Sequence, residues 1–432
     1  MKKVLIYLFV VVIILLLAAL AYFYYRSKQS TKQQVPAIAD ALLVIKSDQL
    51  FKKISSNALA HPSYYWKLRQ SAAEDTTATW NDAGMDLPAN LYGYHLPAFK
   101  ASTFFIHTPI KDSTTFLRFA SKNFGIHILP ADSNKTRAIS TDSVISMVID
   151  QHQVIIGISL EKEQTMSALY ELLKDTSSIP VTQHPLYPKL MESKADVVYA
   201  GEDDYISIDF DNGAIHAKGT FQTQLIHGAK RTRAKQFEEN SIASFQLQAD
   251  IDSLIRRNKA FLAKYSIPAD TLTRYFGGYL DAEWKANWLE QQDTVITYGY
   301  DDNFEKTEQK EIRNTKVPEF YVRMKASPHL ANYIPKQVVY QLHFNKRADT
   351  LTYGTGTDFS STILTEETPY FLRFQLNPSK MEKHVPSFLQ AFNRISGQAE
   401  QLEGNRIEME IILTNRLKNI NSLVQGLFPE QN

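Results

Sequence analysis

The sequence predicts an α+β protein: mostly antiparallel sheets with helices packed on one face, built from repeated strand–cap–helix units and preceded by one N-terminal transmembrane helix. Three observations predict it. Apolar or alternating runs recur, each followed by a small polar residue and an amphipathic stretch. Tight-turn signals join neighbouring alternating runs. An uncharged run near the N-terminus is long enough to span a bilayer.

Lys2 and Lys3 precede that run, which extends unbroken from Val4 to Tyr25. At ~1.5 Å per residue it covers the ~30 Å hydrocarbon core. It closes on Tyr22, Phe23, Tyr24 and Tyr25, then Arg26, the aromatic-then-cation order favoured at a membrane–water boundary. Ala19-Leu20-Ala21 also fits the small-x-small pattern of a cleaved signal peptide. The aromatics beyond it extend the run to spanning length, which favours an anchor over 1–26. Cations flank both ends, so charge alone barely sets the orientation. An anchor so near the N-terminus places the body outside the cytoplasm, in the periplasm on a bacterial inner membrane. Residues 27–36 are polar and aperiodic and read as a flexible tether.

Strand–cap–helix units follow. Leu42–Ile45 leads through Ser47-Asp48 into 49–54, and Phe104–Ile106 leads to Asp112 and 113–123. Val154–Ile158 leads to Ser159 and 160–173; Phe245–Leu247 leads to Asp250 and 251–263. Phe320–Met324 precedes Ser327-Pro328, Phe371–Leu376 precedes Asn377-Pro378 and a helix reaching Phe392, and Met409–Leu413 precedes Thr414 and a helix over 415–427. Ser, Thr, Asp and Asn accept the unpaired amides of a helix start, and Pro fits its first turn. Ile251, Leu254, Ile255 and Leu262 then fall on one helical face. Hairpins are expected where Asp211-Asn212-Gly213 separates 205–210 from 214–223, and where Asp150-Gln151-His152 separates 143–149 from 153–159. Further strands are expected at 294–300, 338–344 and 351–355. The charge-rich stretch 227–240 reads as a linker between halves at 37–226 and 241–432.

Composition narrows function. A formal charge of +1 offers nucleic acid no global attraction. The absence of cysteine excludes disulfides, thiolate metal sites and a cysteine nucleophile. No H-x-x-x-H or H-x-H pair occurs, and His107, His216 and His343 sit on strand patterns as structural or surface residues. Ser159-Leu160-Glu161-Lys162 spells S-x-x-K without its partner motifs, so Ser159 reads as a helix cap. Glu202, Asp203, Asp204, Asp209 and Asp211 invite calcium, but the Gly213 spacing is wrong for an EF-hand loop and Thr220 stands where its bidentate Glu belongs. A solvated hairpin is the better reading, there and at Asp301-Asp302. Gly354-Thr355-Gly356 lacks the rest of a phosphate loop. The basic run Lys230–Lys235 is followed by Glu238 and Glu239 and reads as solvated. No catalytic, cofactor or metal residue is assigned.

Four segments carry a resemblance: the opening Pro36–Ile54, the element Ala83-Gly84-Met85-Asp86, the strand end Tyr300–Phe304, and Asn421-Ser422-Leu423-Val424 near the C-terminus. In these the chain resembles uncharacterised, N-terminally anchored envelope proteins of the Bacteroidota. Those families have no assigned activity, so the resemblance implies location and architecture only. The expectation is a non-enzymatic envelope scaffold or binding module with a protein partner. Alternatives are a carrier of a lipid or other small apolar ligand, and a hydrolase using paired carboxylates, which need leave no spacing signature.

Overall fold

The computed structural model describes residues 21–74, 83–130, 135–174, 177–300, 306–334, 340–357, 359, 364–381, 386 and 389–428. The chain divides into two units, Met1–Gly219 with Asn419–Phe428, and Thr220–Lys418 with Pro429–Asn432.

The first unit contains α1 (residues 21–30), β1 (Gln34–Pro36), β2 (Ala41–Ile45), α2 (Ser47–Ala60), α3 (Pro62–Glu74), β3 (Leu91–His95), β4 (Thr103–Pro109), α4 (Ser113–Phe124), β5 (Ile126–Leu129), β6 (Thr136–Ser140), β7 (Ile145–Asp150), β8 (Gln153–Ser159), α5 (Met166–Lys174), β9 (Ser178–Pro180), α6 (Tyr187–Glu192), β10 (Val197–Gly201) and β11 (Tyr205–Asp211), with β12 (Ala214–Gln222) at its boundary. Antiparallel pairing in the order β11–β10–β2–β3–β4–β8–β7–β6–β5 builds its sheet, and β1 pairs β9 separately.

Helices cover both faces of this sheet rather than the one expected. Successive strand residues point to opposite faces, and Met147, Val148 and Ile149 are all buried. Val148 and Ile155 pack with Leu169 of α5, whereas Met147, Ile149 and Val154 pack with Phe116 and Ala120 of α4. Helix α4 shows how locally the sequence acts. Asp112 accepts the Thr115 amide at 2.6 Å, Phe116, Phe119 and Ala120 form the buried stripe, and Gly125 ends the helix at φ 60°.

The second unit contains β13 (His227–Gly228), β14 (Thr232–Lys235), β15 (Ser241–Asp250), α7 (Asp252–Arg257), α8 (Lys259–Lys264), α9 (Ala269–Tyr275), β16 (Phe276–Tyr300), β17 (Lys306–Ala326), β18 (His343–Arg347), β19 (Thr350–Gly354), β20 (Leu364–Thr368), β21 (Tyr370–Leu376), β22 (Phe392–Gln401) and β23 (Arg406–Asn415). Its antiparallel sheet runs β18–β19–β17–β16–β15–β21–β22–β23, with β14 paired to β20. In β15, Phe245 and Leu247 face the apolar core while Ser244 and Gln246 face the other way, yet both polar residues are buried. The β15–β16 ladder ends at Lys285, while β16–β17 pairing continues to Tyr300↔Lys306, forming a two-stranded arm. The short strands expected at 294–300 and 320–324 are parts of this one long hairpin.

Several expected helices are shorter. The helix expected over 251–263 breaks at Asn258, whose side chain donates to the Leu254 carbonyl at 2.8 Å. That side chain competes with the helix ladder, and Ile255 is the one residue of α7 and α8 that is buried. The helix expected at 160–173 starts at Met166. A 3₁₀ turn, Pro378–Lys380, stands where a helix reaching Phe392 was expected; residues 382–385 and 387–388 lie outside the described residues. The C-terminal helix is confined to α10 (Ser422–Leu427), which belongs to the first unit. No helix among the described residues is long and apolar enough to cross a membrane. The expected anchor, 1–26, lies outside the described residues as far as residue 20.

Candidate functional site

The strongest functional geometry is where α1 meets the body of the first unit. Phe23, Arg26 and Ser30 are spaced to share one face of α1, and Ser30 is buried. Arg26 forms an ion pair with Asp48 in the first turn of α2 at 3.0 Å. The same guanidinium donates to the Leu87 carbonyl at 2.7 Å and to the Tyr22 hydroxyl at 3.3 Å. The Lys52 ammonium lies 4.6 Å from the centre of the Phe23 ring. On the exposed face, Lys28 lies 5.3 Å from the Tyr24 ring centre.

The polar composition of 27–36, which suggests a flexible tether, here supplies side-chain hydrogen bonds that order the segment. The Gln33 amide nitrogen donates to the carbonyls of Tyr92 at 2.7 Å and His107 at 2.9 Å, and its oxygen accepts the Tyr92 N–H at 3.1 Å. Val181 N–H donates to the Gln33 carbonyl at 2.9 Å, and Val35 is fully buried in the core. Helix α1 is thereby joined to the sheet through ordered backbone.

The charged clusters are internally matched. Lys53 of α2 pairs with Asp196 at 2.8 Å, Asp209 at 3.2 Å and Asp211 at 3.1 Å. Asp196 is fully buried and also accepts the Phe210 N–H and the Gln49 amide. Burial opposes the Lys53 charge, but the bonds to Asp196 and Asp211 outweigh it and hold the ammonium above the ordinary lysine range. An ammonium thus sits between two of the carboxylates, Asp209 and Asp211, that invited a calcium reading. Glu202 and Asp203 are exposed.

Sequence reasoning missed the second cluster. Lys235 ends the basic run whose composition suggests a solvated stretch, yet it is only 6% exposed. Its ammonium contacts Asp281 at 2.8 Å and Glu283 at 2.6 Å, two positions apart on β16. Burial pushes the Glu283 carboxyl up, but Lys235 and the Ser241 hydroxyl, both hydrogen-bonded to it, bring it below the usual carboxylate range. Tyr279 donates to Asp281 at 2.8 Å; burial and then the Asp281 charge raise that phenol. Thr232 and Lys235 of β14 are both buried while Lys230, Arg231 and Arg233 are exposed; a register shift between Arg233 and Lys235 breaks the strand alternation there, so no regular pattern in the sequence marks Lys235 as buried.

Other candidates take structural positions. Ser159 is buried, accepts from Thr103 at 2.8 Å and accepts the Glu163 amide at 3.0 Å, so it closes a turn six residues before α5. Lys162 has φ 58°. His107 bonds Gln153 at 2.9 Å, His216 is exposed and His343 is half-buried on β18. Gly354 lies so close to β17 that a Cβ would fall 2.2 Å from the Phe320 carbonyl, which is a strand contact rather than a phosphate loop. Asp301-Asp302 lies outside the described residues. Asp40 and His95 meet at 2.5 Å, but the other ring nitrogen faces the carbonyls of Phe99 and Lys100, so no hydroxyl nucleophile is placed there. No group of three or more His, Asp or Glu is placed to hold a metal among the described residues.

No family model matches the chain, and no curated protein matches it. Two solved structures of TP0453, crystal forms IV and III, align with 75% and 76% of this chain and 92% of their own. Identity is 12% and 10%, with a TM-score of 0.23 for each, which carries no argument about fold or function.

Proposed function

We propose that the chain is a single-pass membrane protein of the bacterial envelope whose extracytoplasmic body is a non-enzymatic scaffold or binding module. One observation carries the reading: the uncharged run Val4–Tyr25 continues into α1, and α1 is bonded to the body through Arg26, Asp48 and Gln33. Such a joint holds the body at a fixed attitude on the bilayer, as a scaffold requires and a freely tethered enzyme does not. Support also comes from the charged groups, which neutralise one another inside the fold. The arm of β16 and β17 has lengths of strand edge beyond the sheet that suit β-strand addition by a partner.

The cysteine-free chain makes the topology directly testable. Lys122 is exposed on α4, so Lys122→Cys supplies one thiol for a membrane-impermeant maleimide. Labelling in intact spheroplasts, with the protein retained through carbonate extraction, is the expected result. Labelling only after lysis, or release by carbonate, overturns the reading. Because Arg26 and Gln33 belong to the body, a soluble form for partner crosslinking begins at Ala21. Recovery of the same envelope protein by this form and by the full chain identifies a binding module.

A further inference from the structure

Beside α1 lies a groove of about 480 Å³, lined by Tyr22, Tyr25, Leu87 and Pro88 and flanked by the charged groups Arg26, Lys32 and Asp86. That volume lies in the range of small-ligand sites. Tyr25 and Leu87 are 60% and 44% exposed, a costly arrangement in water that becomes favourable at the polar edge of a bilayer. The groove is also held in shape, because Arg26 bonds the Leu87 carbonyl and pairs with Asp48.

Its position follows from chain length. On the anchored reading, the uncharged run counted from Val4 at ~1.5 Å per residue covers a ~30 Å core by about Tyr24. The mouth of the groove therefore stands at headgroup level. Charge points the same way: Asp48 neutralises Arg26 and Lys111 pairs with Asp86, which leaves Lys28, Lys32 and Lys52 as a cationic surplus around the helix. We infer that this groove seats the headgroup of an anionic phospholipid, its phosphodiester beside Lys32 and its glycerol against Leu87 and Pro88. The inference rests on the anchored reading above and adds the ligand class that the joint recognises.

The test uses the full chain in vesicles of phosphatidylethanolamine and phosphatidylglycerol doped with a phosphatidylglycerol carrying a photoactivatable headgroup. Adducts are mapped by peptide mass. The expected result is labelling of 86–89 and Tyr25, reduced about fivefold by Lys32→Gln, the effect of one cation near an anionic surface. Lys32 is exposed, so this variant keeps the fold. Adducts confined to the outward face at Tyr24, or labelling of 86–89 that ignores Lys32→Gln, overturns the seat and leaves the anchor standing. Carbonate-extractable protein with no adduct overturns the anchor and the seat together.

Discussion

The Gln33 side chain and the Tyr92 backbone bond each other in both directions: the Gln33 amide donates to the Tyr92 carbonyl at 2.7 Å and its oxygen accepts the Tyr92 N–H at 3.1 Å. One side chain thus does for β3 what a neighbouring strand does in a ladder. Tyr92 is fully buried, so neither group can turn to water instead.

Gln33→Ala strands three backbone groups, the Tyr92 carbonyl and N–H and the His107 carbonyl. The expected loss is about 2 kcal/mol, the scale of an unsatisfied buried group. Gln33→Glu is expected to be worse at neutral pH, because a carboxylate faces the Tyr92 and His107 carbonyls with no proton to donate. Urea unfolding of the soluble form beginning at Ala21 checks both. Equal stability of the alanine variant and the parent would show that the clamp contributes nothing.

Lys235 carries the next prediction. Removing its ammonium by Lys235→Met leaves Asp281 and Glu283 uncompensated on one face of β16. The cost of breaking a buried pair is about 3–5 kcal/mol. Adding Asp281→Asn and Glu283→Gln removes the stranded charges and is expected to recover most of that loss. A denaturation cycle across these variants reads the coupling directly; additive losses would mean that the three groups act independently.

These residues show what the sequence makes legible. Asp112 caps α4 from three residues away, and Gly213 takes φ 75° at the expected hairpin turn, so both signals are local and both elements were foreseen. Mostly antiparallel pairing followed from the same turn signals. Lys235 looks like any other member of a basic run; its partners lie 46 and 48 positions on, and only the packing of β14 over β16 brings them together. The stripe Ile251–Leu262 was misleading for a related reason. Periodicity marks a face that could be buried, but Phe261 is exposed and no core covers α8, so nothing holds the two halves of the stripe in one helix. The polar composition of 27–36 suggested a flexible tether, whereas its order and that of α1 depend on Asp48, Leu87 and Tyr92, none of which is near in sequence.

Acid and alkali probe the two clusters separately. The folded Glu283 carboxyl lies below its ordinary value of 4.5. Its contribution is therefore complete above that value and is lost as pH falls through the lower folded one. Glu283→Gln is expected to flatten the acid side of the stability profile. Lys53 is held above its ordinary 10.5, so its contribution is complete below that pH and disappears as pH rises through the folded value. The gap between parent and Lys53→Gln is expected to stay constant through neutrality and to close in strong alkali. Urea midpoints measured against pH test both signs; a gap that closes near neutrality contradicts the Lys53 assignment.

Asn57 ties the C-terminal segment into the first unit, and it yields the most local prediction. Its amide nitrogen donates to the Asn419 carbonyl at 2.7 Å, while its oxygen accepts the Asn421 N–H at 3.1 Å and the Tyr65 hydroxyl at 2.7 Å. Asn421 in turn donates to the Phe210 carbonyl at 2.9 Å and accepts the Leu423 amide at the start of α10. Asn57→Ala deletes the first link of this chain and leaves buried partners unmet. The expected result is an overall loss of about 2 kcal/mol with a sharper local effect. Hydrogen exchange across 419–428 should accelerate more than exchange in β2 or β10, because local opening now precedes global unfolding. Asn421→Ala should reproduce the acceleration through loss of the helix cap while leaving the Tyr65 hydroxyl bonded to Asn57. Uniform acceleration over the whole unit in both variants would mean that 419–428 unfolds only together with the sheet.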